Sequence, residues 1–337
     1  MTQDKKYSVL VVDDIESIRF AISDYLKSYF VVHEADNGRK AIEILENNHI
    51  DLVLTDIRMP EMGGLELIAH ITKSFPGVKY ALMTAYNVND YIKFVRKMKI
   101  WNIIPKTTFL DLRFIKVMSE KLLTNDIFGI DKYYPGCNRA EISREELEAL
   151  RGSDSSFQED VYYTLRIESV TDYDKICETV GEILIERGAP SIILQVLEEL
   201  ATNALIRAPR NAYQQRGRRD DTRREQASDY EDGTPNAYEL SFGIMEKNAV
   251  ISVTDYHGTL NRDEILYRLE RHVTMDKNGL PLGINDSHGR GLFISREHMD
   301  HLVFNIQPRR RTQVIGILSL ENDLKYRAVS IYQQDEE

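Results

Sequence analysis

The stretch LVLTDIRMPEMGGLEL, residues 52–67, places an acidic residue between an apolar run and a segment with helical periodicity. Its first part, Leu52–Thr55, has the length and composition of a strand that is buried on both faces. Its end leads into Leu65–Lys73, where apolar residues recur at helical spacing. Because Asp56 directly follows the apolar run, the stretch predicts a strand, a loop and a crossover helix, with a carboxylate at the carboxyl end of the strand.

The same alternation extends on both sides of this stretch, from Tyr7 to about Thr124. Three more apolar runs predict buried parallel strands, at Ser8–Val12, Lys79–Met83 and Trp101–Ile104. Three more segments predict crossover helices, at Ile15–Ser28, Arg39–Glu46 and Phe109–Leu123. The pattern predicts a doubly wound α/β domain whose functional site lies at the carboxyl ends of its strands.

Polar side chains follow each of the other predicted strands: Asp13 and Asp14 after the first, Thr84 after the third and Lys106 after the fourth. One carboxylate at a strand end can be a helix cap, but several polar groups after different strands are harder to explain in that way. Crowded carboxylates repel each other unless a hard cation neutralises them, which favours a Mg²⁺ site. A carboxylate beside Mg²⁺ can act as the nucleophile of phosphoryl transfer and become an acyl phosphate.

The stretches VLVVDD, LVLTDIRMPEMGGLEL and LMTAY, in that order, resemble the receiver domains of two-component systems. The resemblance covers residues 7–124 and implies a flavodoxin-like fold with a five-stranded parallel sheet. It implies that Asp56 is the phosphoacceptor, and that a sensor histidine kinase or a phosphotransfer protein is a partner. It assigns Mg²⁺ binding to Asp13, Asp14, Asp56 and the backbone near Arg58, and contacts with the phosphoryl group to Thr84 and Lys106.

Two positions depart from the usual pattern of that family. Pro105 precedes Lys106 here, whereas the family usually has Pro after the lysine. The position of the family's aromatic switch residue is Ile103. Either Tyr86 or Trp101 takes over this part, or the switch is weakened.

Residues 125–155 are expected to be a linker with one short helix. Ser143 and Glu146 form a capping-box pattern for a helix through Leu150, and the Gly-Ser-Asp-Ser-Ser run after it is typical of a flexible connection. This places one domain at residues 1–124 and another at 156–337, with the linker as the only covalent route between them.

The composition excludes several classes of protein. The formal charge of −11 and the lack of a helix-turn-helix pattern argue against direct DNA binding. Cys137 and Cys177 are too few for a disulfide framework or a zinc site. No run of about 18 apolar residues and no signal-peptide core is present, so we expect a cytoplasmic protein without a membrane segment.

The second half predicts a strand at Tyr162–Ile167, a helix at Asp174–Glu186 and a longer helix, SIILQVLEELATNALIRA, at residues 191–208. Glu199 and Asn203 are four residues apart and therefore share one face of that helix. Taken alone, the helix favours a solvated polar stripe over a functional site.

Three further segments change that interpretation. A strand in AVISVTDYHGTL ends at Asp255 with Gly258 beyond it, and RTQVIGILSL predicts a returning strand. The segment NDSHGRGLFISREHMD leads into a helix, and Gly289 and Gly291 near its start would expose backbone N–H groups to a phosphate.

Together these segments resemble the nucleotide-binding domain shared by histidine kinases, gyrase, the Hsp90 chaperone and the anti-sigma-factor serine kinases, and ELATNA is most similar to the last. The resemblance implies an α+β two-layer sandwich that binds ATP and Mg²⁺. It implies that Asn203 binds Mg²⁺, that Asp255 accepts a hydrogen bond from the adenine amino group and that Glu199 is a general base. The remaining nucleotide contacts that it implies are Gly258, Gly289, Arg290, Gly291 and Thr312, and Arg207 is compatible with phosphate contact.

An arginine-rich insert, residues 207–232, follows the long helix. Its arginines alternate with acidic residues, which favours a mobile solvated loop over a loop that docks a partner.

Three functions remain open from the sequence. The first is a response regulator whose output is a serine/threonine protein kinase that acts on an anti-sigma-factor antagonist or a similar partner. The second is a non-catalytic nucleotide-binding module that sequesters a sigma factor or another regulator. A histidine kinase fits poorly, because no histidine lies between His70 and His257, unless the phosphorylated histidine lies on another protein. A homodimer is also expected.

Overall fold

The computed structural model describes residues 6–84, 96–106, 110–152, 156–167, 173–208, 238–275, 277, 282, 290–321 and 327–334. The chain divides into two compact units. The first unit contains Met1–Ile127 and Ala328–Tyr332, and the second contains Phe128–Arg327 and Gln333–Glu337. Tyr86, Gly289 and residues 209–232 of the insert lie outside the described residues, as do the side chains of Arg207 and Arg290.

The first unit has a flavodoxin-like α/β fold. Its strands are β1 (Ser8–Val12), β2 (Val31–Ala35), β3 (Leu52–Asp56), β4 (Lys79–Thr84) and β5 (Asn102–Pro105). They form a parallel sheet in the order β2-β1-β3-β4-β5. Its described helices are α1 (Glu16–Leu26), α2 (Gly38–Asn47), α3 (Gly64–Ser74) and α4 (Leu112–Thr124). Residues of β1 and β3, such as Leu10 and Val53, pack with Leu67 and Ile71 of α3 in a buried core.

The second unit is built around a mixed sheet. Its strands are β6 (Asn138–Glu141), β7 (Val161–Ile167), β8 (Tyr238–Met245), β9 (Asn248–Asp255), β10 (His301–Gln307) and β11 (Arg311–Ser319), in the order β10-β11-β9-β8-β7-β6. Every neighbouring pair is antiparallel except β6 and β7. Its described helices are α5 (Arg144–Leu150), α6 (Tyr173–Glu186), α7 (Ile192–Thr202), α8 (Arg262–Val273) and α9 (Arg290–His298).

A last strand, β12 (Ala328–Gln333), returns from the far end of the chain to the first unit. It pairs antiparallel with β5, with Val329 opposite Ile103 and Ser330 opposite Asn102. The prediction that residues 125–155 are the only covalent route between the two halves is therefore wrong, because the chain passes from the second unit to the first between Arg327 and Ala328.

The capping box at α5 is confirmed: the Ser143 side chain accepts from the Glu146 backbone, and the Glu146 side chain accepts from the Ser143 backbone. The long helix of the second unit differs from its prediction. After Thr202 it continues as a π-helical turn, Asn203–Arg207, and such wider turns often occur at functional sites. No helix among the described residues is both long and apolar enough to cross a membrane.

Candidate functional site

The carboxyl edge of the first unit's sheet brings together three of the predicted site residues. The Lys106 ammonium lies 2.6 Å from Oδ2 of Asp13 and 2.7 Å from Oδ1 of Asp56. The Lys106 and Asp13 side chains are 5% and 0% exposed, and that of Asp56 is 12% exposed. The carboxyl ends of β1, β3 and β5 thus hold two carboxylates around the Lys106 ammonium in a mostly buried site.

The loop after β3 orients the Asp56 carboxylate. Its Oδ2 accepts a hydrogen bond from the Arg58 backbone N–H at 3.1 Å. Gly64 begins α3 so close to β3 that an added Cβ would lie 1.9 Å from the backbone oxygen of Asp56. A side chain at position 64 would therefore displace the Asp56 backbone, which explains the second glycine of the sequence MGG.

Burial acts against the charge on Asp13. Desolvation raises the pKa of this carboxyl above its ordinary value, and the Lys106 ammonium and the Ile15 backbone N–H oppose the shift. Asp14, the next residue, is exposed at the opening of the site. The two acidic neighbours that the sequence assigned to one role therefore lie in different environments.

Thr84 closes β4 and is buried, and its backbone oxygen accepts from the Lys106 N–H at 2.6 Å. This bond joins the ends of β4 and β5 beside Asp56. Among the described residues, no three side chains of His, Cys, Asp or Glu are grouped closely enough to hold a metal ion by themselves. A cation at this edge would therefore draw on Asp13, Asp56 and backbone oxygen near Arg58 together with its own water or phosphoryl oxygens.

Residues 9–113 match the sequence profile of the response regulator receiver domain. This part of the chain is a response regulator receiver domain. Receiver domains belong to two-component systems, bind Mg²⁺ at the phosphorylation site and imply a sensor kinase or a phosphotransfer protein as a partner.

The receiver domain also accounts for similarity to several curated proteins. A cyclic di-GMP phosphodiesterase from Thermotoga maritima is 35% identical over 122 residues, which is 36% of this chain and 32% of that protein. The response regulator protein VraR from Staphylococcus saprophyticus is 34% identical over 30% of this chain and 49% of VraR. The chain thus spans about a third of the length of the first of these relatives and about half of the second. The chemotaxis protein CheY from Thermotoga maritima is 39% identical over 23% of this chain and 66% of CheY.

Two solved structures are similar to part of the chain. The response regulator protein TrrA from Thermotoga maritima, in complex with Mg(2+)-BeF, is 30% identical, with 35% of this chain and 99% of TrrA covered and a TM-score of 0.32. A CheY-like receiver domain protein from Methanospirillum hungatei is 27% identical, with coverages of 35% and 94% and a TM-score of 0.32.

The second unit contains a narrow cleft that the receiver domain does not explain. Asn203 at the start of the π-helical turn and Asp255 at the end of β9 both line it. Apolar side chains make up most of its walls: Leu200, Ala204, Ala208, Val253, Leu260 and Val314. An apolar cleft with a few polar groups is the usual form of a small-molecule site.

Asp255 is an acid of this cleft whose pKa is strongly raised. Burial raises its pKa to about 6, although the backbone N–H groups of His257 and Gly258 and the side chain of Thr312 favour the charged form. Thr312 stands directly opposite Asp255 in the pairing of β11 with β9. His257, which occupies a position that is commonly glycine in the resembled family, contributes its backbone N–H at 2.9 Å.

Gly258 is required by its surroundings. Its φ is 58°, and an added Cβ would lie 2.3 Å from the Gln307 backbone oxygen. Its own oxygen accepts from the Arg309 N–H at 3.0 Å, which fixes the loop after β9 against the turn between β10 and β11.

Glu199 of α7 lies against Gly291 of α9. A Cβ at position 291 would be 1.8 Å from Oε2 of Glu199, so a larger residue there would require the Glu199 side chain to move. The structure thereby brings the predicted general base to the predicted phosphate-binding helix start. Arg207 ends the π-helical turn, and Arg290 begins α9.

Arg268 is a residue of the cleft that the sequence pattern did not predict. It lines the cleft from α8 and pairs with Glu264 one helical turn earlier. The sequence does contain a signal for this helix, because Asn261 caps it by accepting from the Glu264 backbone. The Asn-x-x-Glu pattern therefore indicates a helix that carries Arg268 soon after Asp255.

Proposed function

We propose that this chain is a response regulator that is phosphorylated on Asp56 and controls an ATP-dependent serine/threonine protein kinase in its second unit. The observation that carries the kinase assignment is the meeting of Glu199 and Gly291 beside a cleft lined by Asn203 and Asp255. The kinase would act on an anti-sigma-factor antagonist or a similar hydroxyl-bearing protein.

The geometry around Asp56 suits phosphoryl transfer. One carboxylate oxygen of Asp56 attacks the phosphorus of the donor, and the bond between phosphorus and the donor's leaving oxygen or nitrogen breaks. Lys106 already lies 2.7 Å from the same carboxylate and can bind an oxygen of the transferred group. The buried Thr84 at the adjacent strand end supplies a hydroxyl for another oxygen.

The receiver site also fits Mg²⁺. The carboxylates of Asp13 and Asp56 both lie against the Lys106 ammonium, and hard carboxylate oxygens are the ligands that Mg²⁺ prefers. Bound Mg²⁺ neutralises the negative charge that builds up during phosphoryl transfer. We assign Asp13, Asp56 and the backbone near Arg58 to it, with exposed Asp14 acting through water.

The cleft of the second unit fits an adenine nucleotide. Its apolar walls suit the faces of a purine ring, and Asp255 is a buried acceptor for the exocyclic amino group. Asn203 offers an amide oxygen for the Mg²⁺ that accompanies ATP. Arg290 and Gly291 at the start of α9, with Gly289 before them in the sequence, offer backbone N–H groups to the phosphates.

Glu199 is the base in this proposal. It would accept the proton of the substrate hydroxyl while that oxygen attacks the γ-phosphorus. The bond between the γ-phosphorus and the bridging oxygen would break, and ADP would leave. Its contact with Gly291 keeps the carboxylate at the predicted phosphate end of the site.

Calorimetric titration of the intact chain with ATP and Mg²⁺ tests the nucleotide site. Asp255→Asn should weaken binding by about 1.5–3 kcal/mol, because a hydrogen bond to a charged group is lost. Asp263→Asn, an exposed acid at the start of α8, is the matched control and should bind as the parent chain does. A parent chain that binds no ATP in either phosphorylation state would contradict the kinase.

The same Asp255→Asn substitution should raise stability while it lowers affinity. The pKa of Asp255 is about 6 in the folded chain and 3.8 as its ordinary value. Folding therefore favours the protonated form, and this contribution is complete below pH 3.8 and lost as the pH rises through 6. The difference corresponds to about 3 kcal/mol. In urea unfolding, the free energy of unfolding of the variant should rise relative to that of the parent chain by roughly 1–3 kcal/mol between about pH 4 and pH 7. It should not rise further above about pH 7. A pH-independent gap would contradict the burial of a charged Asp255.

A further inference from the structure

Strand β12 covers the β5 edge of the receiver sheet. Its residues Ala328, Val329, Ser330, Ile331 and Tyr332 are all buried. In addition to the pairing with β5, the Ile331 N–H donates to the Trp101 backbone oxygen at 3.0 Å. The edge of the receiver is therefore closed by a strand that the chain supplies only at its far end.

Strand β12 also contacts a buried lysine. Lys121 of α4 is 1% exposed, and its ammonium lies 4.8 Å from the centroid of the Tyr332 ring. Lysine is rarely buried to this degree, and a cation over an aromatic face is one of the arrangements that permit it. The accessibility of Lys121 to solvent consequently reports whether Tyr332, and with it β12, is seated.

The strand to which β12 pairs ends at the phosphorylation site. Lys106 follows Pro105, the last residue of β5, and its ammonium bridges Asp13 and Asp56. Ile103, which pairs with Val329, lies only three residues before it. Lys106 therefore lies close in sequence to the part of β5 that pairs with β12.

The residue before β12 is fixed to α9 in the second unit. The Arg327 guanidinium donates from Nε to the Glu297 backbone oxygen at 3.2 Å and pairs with the buried Asp300 carboxylate. Asp300 is itself held by the Ser319 N–H at 2.7 Å. Glu297 belongs to α9, the helix that starts beside Gly291 and its contact with Glu199.

We propose that β12 is a regulatory strand that carries the state of Asp56 to α9. In the unphosphorylated chain, the Lys106 bridge holds β5 in the position that seats β12. A phosphoryl group on Asp56 turns Lys106 toward the new oxygens, β12 loosens on β5, and Arg327 transmits the change to the helix beside Glu199. This inference rests on the proposed phosphorylation of Asp56. The phosphoryl group shifts the equilibrium between seated and loosened β12 only as far as it favours one of the two states.

Labelling of lysines with an amine-reactive reagent, read by mass spectrometry on the intact chain, tests the strand directly. Lys121 should be protected without a phosphodonor, and its labelling rate should rise roughly tenfold with acetyl phosphate and Mg²⁺. Lys27, which is exposed on the receiver and 3.2 Å from Glu34, is the internal control and should label equally in both states. Intact mass measured on the same samples gives the phosphorylated fraction.

The outcomes separate the two proposals. Phosphorylated chain with unchanged Lys121 labelling overturns the regulatory strand and leaves the Asp56 assignment in place. Absence of phosphorylation contradicts the assignment of Asp56 as the phosphoacceptor. The regulatory role of β12 is then tested with Lys106→Met, which removes the Lys106 bridge without a phosphodonor. Unchanged Lys121 labelling in that variant overturns the strand independently.

Two pairs of variants test the ends of the route. Tyr332→Ala should expose Lys121 in both states, whereas Tyr332→Phe keeps the ring and should behave as the parent chain does. In Arg327→Gln, acetyl phosphate should still raise the labelling of Lys121 but should no longer change the rate of ATP hydrolysis. Arg327→Lys should retain part of that change in rate. An unaltered hydrolysis response in Arg327→Gln overturns the link to α9.

Discussion

Asp56→Asn is expected to abolish labelling of the chain by acetyl phosphate and Mg²⁺. The amide has no anionic oxygen to attack phosphorus, and it also loses the charge that faces Lys106 at 2.7 Å. Asp51→Asn is the matched control, because Asp51 directly precedes the same strand, at the end opposite Asp56, and accepts from the Ser8 N–H at 2.7 Å. Labelling should be measured by intact mass, with the folded state of each variant checked by circular dichroism.

The control should be labelled as the parent chain is. Equal labelling of Asp56→Asn and the parent chain would show that another residue is the phosphoacceptor. Asp13→Asn should still be labelled but should need a higher Mg²⁺ concentration for half-maximal labelling, because one hard oxygen ligand is lost. An unchanged Mg²⁺ dependence would remove Asp13 from the cation site.

Glu199→Gln is expected to lower phosphoryl transfer or ATP hydrolysis by about 10²–10⁴-fold while ATP affinity is kept. The amide has nearly the same shape, so the contact with Gly291 survives, but it cannot accept the proton of the attacking hydroxyl. The adjacent Glu198→Gln is the control, because Glu198 is exposed on the same helix. Turnover and ATP affinity should be measured on the same preparations.

An unchanged rate of phosphoryl transfer or ATP hydrolysis in Glu199→Gln would show that Glu199 is a polar residue of the helix face and not a base. Gly291→Ala provides an independent check of the arrangement, since its Cβ would displace the Glu199 carboxylate. A fall in turnover in both variants, with Glu198→Gln unaffected, is the pattern that a positioned base predicts.

The receiver can be predicted largely from local sequence. Buried parallel strands are short apolar runs, and the carboxyl ends of such strands meet at one edge, so the strand pattern alone brings Asp13, Asp56 and Lys106 together. Strand β2 escapes this pattern because it lies at the sheet edge, and its residues Val31–Ala35 are mostly exposed or half-buried. Edge strands lack the continuous apolar pattern that identifies central ones.

In the second unit the local pattern picks out Glu199 and Asn203 but offers no means of choosing between two interpretations. On α7 alone, these two residues are consistent with a solvated polar stripe. The packing of α9 against α7, which puts Gly291 against Glu199, and the π-helical turn at Asn203 are the features that favour a site. Neither is encoded in the spacing of a single helix, because both depend on which helices pack together.

The amino-acid sequence by itself determined the receiver, its strand-end acids and the order of the segments in the second half that resemble a nucleotide-binding domain. Only the tertiary structure decided where the C-terminal segment AVSIYQ, residues 328–333, lies. An apolar, β-branched run predicts a buried strand, but it carries no information on which free sheet edge it pairs with. That choice depends on the partners available in space, and here it placed the last strand beside β5, over Lys121 and close to the Lys106 bridge.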